Sequence, residues 1–136
     1  MRLLFIRIIT CLILFGCDKN HDAEIVKTFN GDLPIVSTLT PTTAIAGQEI
    51  RSRVTCELTS ISGSVFFQGF EVRETSAREF SFSAKALYKD WNMQIGMPMM
   101  WTLDTVVSIP TTIRGTYLLK FYNASHLVKS DTVQVN

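Results

Sequence analysis

Sulfur carries most of the chemistry this chain could offer. Residues 93–101 read MQIGMPMMW, so Met93, Met97, Met99 and Met100 crowd together immediately before Trp101. Thioethers are soft ligands suited to Cu(I), and they are equally good fillers of irregular apolar contacts. Successive residues of a strand point to opposite faces, which places Met99 and Met100 poorly for gripping one ion together. The segment is therefore expected to act as a recognition loop, with Trp91, Met97, Met99, Met100 and Trp101 as its contact residues. A small Cu(I) carrier using residues 93–100 is the alternative. Tyr88, Trp91 and Trp101 frame the same stretch, where aromatic rings either stack on a glycan or plug the open end of a β fold.

Acid–base and nucleophilic chemistry finds little support. His21 and His126 stand apart, and the chain contains neither GxSxG nor HExxH nor a paired-cysteine metal spacing. Glu71 and Glu79 are close enough in sequence to meet across strands, but carboxylates on a solvated sheet face explain them without catalysis. No enzyme, cofactor or resident metal is expected.

Cys11, Cys17 and Cys56 are the three cysteines, and the first two belong to the opening of the chain. Arg2 and Arg7 give a positive start, residues 8–15 are an apolar run, and Gly16 precedes Cys17. This order is that of a secretory signal, and the run is far shorter than the roughly 20 residues of a bilayer span. Leu14-Phe15-Gly16-Cys17 resembles the lipobox of bacterial lipoproteins. The resemblance implies cleavage before Cys17, diacylation of its thiol and usually acylation of the new amine. One acyl chain holds a protein only marginally, at about 0.8 kcal/mol per buried CH₂, whereas two or three anchor it durably. The expected partner is thus a lipid membrane reached through acylated Cys17, in the bacterial cell envelope and at its outer membrane.

Residues 17–32 read CDKNHDAEIVKTFNGD and are expected to form a flexible tether. Their early acids resemble the surface-export signals of Bacteroidetes lipoproteins. In enteric bacteria an aspartate directly after the lipidated cysteine is associated instead with inner-membrane retention, so the leaflet stays open. The whole chain has 13 basic and 12 acidic residues, and loss of Arg2 and Arg7 leaves a near-neutral remainder. With no basic stripe, nucleic acid is not an expected partner. Without residues 1–16, and with Cys17 carrying lipid, Cys56 has no cysteine to pair with. Stability must then come from a packed core.

Period-two alternation begins at residue 34 and recurs between turn signals. Residues 34–40 read as a short edge strand. Residues 49–59 put Ile50, Ser52, Val54, Cys56 and Leu58 on one face. Residues 65–73 are expected to turn Phe66, Phe70 and Val72 inward, and residues 79–89 alternate Phe80, Phe82, Ala84, Ala86 and Tyr88. Residues 84–91 could instead form a turn or two of helix. After a loop at residues 90–98, residues 100–109 align Trp101, Leu103, Thr105, Val107 and Ile109. Residues 116–123 and 129–135 close as a hairpin across residues 124–130.

Seven short strands in about 100 residues predict an all-β chain folded as an antiparallel β-sandwich. Gly115-Thr116-Tyr117-Leu118-Leu119 resembles the start of strand F in immunoglobulin-like domains, where a tyrosine hydroxyl bonds back to the preceding backbone. That resemblance implies an immunoglobulin-like domain over residues 33–136, with Tyr117 as its corner. Cys56 then occupies the first core-cysteine position, Leu119 replaces the second, and Phe70 stands near the usual tryptophan. The fold leaves function open. The expected role is non-catalytic binding of an envelope protein or a glycan. Asp104-Thr105-Val106 and Asp131-Thr132-Val133 also fit an O-glycosylation acceptor pattern described for Bacteroidetes.

Overall fold

Nine strands arranged in two layers account for nearly all of residues 25–60, 63–91 and 99–136, which the computed structural model describes. They are β1 (Ile25–Leu33), β2 (Ile35–Leu39), β3 (Thr43–Ala44), β4 (Glu49–Ser60), β5 (Gly63–Ser76), β6 (Glu79–Trp91), β7 (Met99–Pro110), β8 (Gly115–Asn123) and β9 (His126–Val135). One sheet runs β2-β4-β7. In the larger sheet, β5 pairs along one edge of β6, while β1 and then β8 share its other edge, followed by β9 and β3. The chain is a β-sandwich. Two ladders, β3–β9 and β6–β8, are parallel, where a wholly antiparallel sandwich of seven strands was expected.

The alternation expected for β4 and β6 is what builds the core. Ile50, Ser52, Val54, Cys56 and Leu58 face inward from β4, and Phe82, Ala84 and Ala86 from β6. Opposite-facing side chains on successive residues let each sheet bury one face and hydrate the other. Val107, Ile109, Leu119, Phe121, Val133 and Val135 join them in the interior, with Leu33, Ile35 and Tyr117. Phe82 and Phe121, register partners on neighbouring strands, stack with centroids 5.1 Å apart. Residues 84–91, the possible helix, are strand: their alternation matches the pleat, and β1 and β5 bond them from both sides.

Three expectations need correction. Residues 25–32, expected in the tether, form most of β1. Leu33 is buried in the core, Phe29 stacks on Tyr88 at 5.0 Å, and Lys85 holds Asp32 at 2.5 Å. Phe66 points outward and is 48% exposed. The β5–β6 register slips between Phe67 and Gly69, where Gly69 takes a φ of +112°, so Val65 and Phe67 face the core before the bulge and Phe70 after it. Val72 lies on the core side but on an edge strand, and is 43% exposed. The last hairpin is also tighter than expected. Ala124 adopts a φ of +53° in a short turn, and His126–Ser130 already belong to β9.

Candidate recognition surface

The methionine-rich segment begins to be described at the head of β7. Met99, Met100 and Trp101 pair with Ser60, Thr59 and Leu58 of β4. They are 64%, 66% and 40% exposed. Met99 and Trp101 share the core-side parity of Val107 and Ile109, while Met100 lies on the outer face, so the two sulfurs do not converge. Met93 and Met97 lie outside the described residues, as do Cys17 and His21. Trp91 ends β6, in register with Ile25. Among the described residues, no cluster of histidine, cysteine and carboxylate groups could hold a metal ion.

The remaining chemical candidates are held in structural roles. Glu71 and Glu79 do not face each other: Glu71 pairs with Ser83 in register, and Glu79 with Ser76. Lys85 bonds Glu71 at 3.0 Å, Arg73 joins it, and these cations keep the Glu71 carboxyl below its ordinary range. Lys120, 2.6 Å away, followed by the Thr75 hydroxyl, does the same for Glu79. A general acid needs the opposite shift. Both glutamates are ionised members of a solvated sheet face. His126 is exposed at the start of β9. Cys56 is free and fully buried, and desolvation pushes its thiol up to about 11, which removes it from thiolate chemistry at neutral pH.

Tyr117 lies at the start of β8. It is 3% exposed, and its hydroxyl donates to the Ile113 carbonyl at 3.0 Å. The turn into β8 depends on Gly115, whose φ is +128° and whose missing Cβ leaves room for the Arg78 guanidinium. Tyr117→Phe is expected to cost about 1–3 kcal/mol, because the Ile113 carbonyl loses its donor in a half-buried site. Chemical denaturation would measure this, and a change near zero would mean that the hydroxyl contact does not hold the turn.

Two polar clamps were not singled out in the sequence. Asn123 closes both backbone groups of Ile35: its amide oxygen accepts the N–H at 2.7 Å and its amide nitrogen donates to the carbonyl at 3.3 Å. This pins the point where Pro34 carries the chain from the larger sheet into β2. Asp131 accepts hydroxyls from Thr38 at 2.9 Å and Thr40 at 2.6 Å, joining β9 to β2 across the two layers. Lys129 lies 3.2 Å from the same carboxylate. The available signal was parity. Asn123 follows Tyr117, Leu119 and Phe121 on the inward face of β8, and Asp131 precedes Val133 and Val135 on that of β9. A polar residue at an inward position needs a partner.

One further surface is a groove of about 600 Å³ on the outer face of the smaller sheet, lined by Leu39, Arg51, Arg53 and Val106. Arg51 approaches Glu49 at 3.6 Å, whereas Arg53 has no polar partner among the described residues. Comparison with protein-family models, curated proteins and solved structures found no match, so the functional reading rests on this chain's own residues.

Proposed function

We propose that this chain is a lipid-anchored protein of the bacterial cell envelope, held through acylated Cys17, whose β-sandwich presents a non-catalytic recognition surface to an envelope protein or a glycan. The carrying observation is the exposure of Met99, Met100 and Trp101 at one end of β7, where a continuous ladder to β4 fixes the backbone beneath them. Large apolar side chains displayed together on a rigid element are characteristic of contact surfaces. Within this proposal the sandwich is read as immunoglobulin-like. Support comes from the Tyr117–Ile113 hydrogen bond and from Cys56 and Leu119 sharing the core. The parallel β6–β8 ladder departs from the antiparallel surroundings of the tyrosine strand in immunoglobulin domains.

Site-specific photo-crosslinking in intact envelopes tests the surface. A photoreactive residue replacing Met100 should capture a discrete adduct, and one replacing Ser76, exposed at the end of β5, should not. The same adducts from both positions, or none from position 100, would overturn the assignment.

A further inference from the structure

We infer that two copies of this chain pair edge to edge through β7, forming one antiparallel six-stranded sheet in the order β2-β4-β7-β7-β4-β2. Exposed strand edges offer unpaired N–H and C=O groups to another chain, and proteins usually blunt them. Here β2 is five residues long and irregular between Ile35 and Ser37, and β3 has only two residues. β5 carries two register slips and the charges of Glu71, Arg73 and Glu74. β1 slips between Ile25 and Lys27 and carries Lys27 and Asp32. β7 has none of these protections. Among the described residues it pairs with β4 alone, over twelve residues without a slip, and Asp104 is its single charge.

The strand's own sequence selects a second copy as the occupant and fixes the register. Joining two β7 strands about a twofold axis keeps core-side residues opposite core-side residues only when paired positions share parity. The two registers of this kind nearest the middle of β7 are centred on Asp104 and on Thr105. Centring on Asp104 sets two carboxylates face to face, which is destabilising. Centring on Thr105 places Trp101 opposite Ile109, Leu103 opposite Val107, and Thr102 opposite Ser108. It also sets Asp104 opposite the second copy's Val106.

Charge complementarity then appears across the seam. Arg53 is the β4 register partner of Val106, so it shares a row with the second copy's Asp104, two strand spacings or about 10 Å away. An arginine side chain lying over Val106 covers that span together with the aspartate. Arg53 has no other polar partner among the described residues, and Asp104 uses one carboxylate oxygen for the Thr55 hydroxyl at 2.6 Å, leaving the other available. Symmetry supplies the pair twice. Met99 and Met100 remain at the outer ends of the seam, so the recognition surface is duplicated.

Disulfide trapping of the full chain in detergent micelles tests the register. Thr102→Cys and Ser108→Cys, both at exposed positions, should each fail to form a covalent dimer alone, yet give a heterodimer when mixed and oxidised. Sedimentation of the wild type should show a concentration-dependent dimer. Asp104→Arg should weaken it about tenfold, and adding Arg53→Asp should restore it. A wild type that stays monomeric at every concentration, as expected if the edge receives a foreign strand, would overturn the proposal. So would equal trapping by Thr102→Cys alone and by the mixture.

Discussion

Phe121→Ala is expected to lower the unfolding free energy by about 3–5 kcal/mol, the range for emptying a fully enclosed aromatic site. Phe121 is completely buried and stacks on Phe82, and it stands on β8, which joins β6 to β9. The β6–β8 ladder runs from Leu118 to Tyr122, directly across Phe121, so the cavity has little freedom to collapse. Phe66→Ala is the matched comparison. That ring is about half exposed, with the Lys89 ammonium over it at 5.1 Å, so its loss should cost under about 1 kcal/mol. Urea denaturation of both variants measures the difference. Equal destabilisation would mean that Phe121 does not occupy the shared core.

Asp131→Ala carries the second large expected effect, about 2–4 kcal/mol, because it removes a charged acceptor serving two hydroxyls at once. Thr38 and Thr40 belong to the chain of the smaller sheet and Asp131 to the larger, so the loss loosens the join between layers as well as three local contacts. Asp131→Asn retains one acceptor oxygen and should cost less. A double-mutant cycle with Thr40→Val should show coupling above about 0.5 kcal/mol, since contacting residues are not additive. Independent effects would place Asp131 outside the join.

Residues 49–60 and 79–91 were legible because alternation and strand length agreed there, and the pleat needs nothing more. The Tyr117 hydrogen bond was legible because it is local: hydroxyl and carbonyl are four residues apart. Gly69 was not, because an extra residue reverses the parity of everything before it and only the partner strand reveals the slip. β1 was hidden for another reason. Its composition is that of a linker, and its order comes from Lys85 and Tyr88, which are distant in sequence. The clamps of Asn123 and Asp131 were half visible, as polar residues at inward positions whose partners no local pattern names. Of the methionine-rich segment, Met99, Met100 and Trp101 are exposed at the head of β7, while Met93 and Met97 fall outside the described residues.

The function proposed above is display, by a sandwich fixed to lipid through acylated Cys17 with the β7 end presented to a partner. Intact-mass and peptide mass spectrometry of the native protein tests it most directly. The expected result is a chain beginning at Cys17 and carrying a thioether-linked diacylglyceryl group, with a further acyl chain on its amine. An unmodified Cys17 thiol in the native protein would contradict the account.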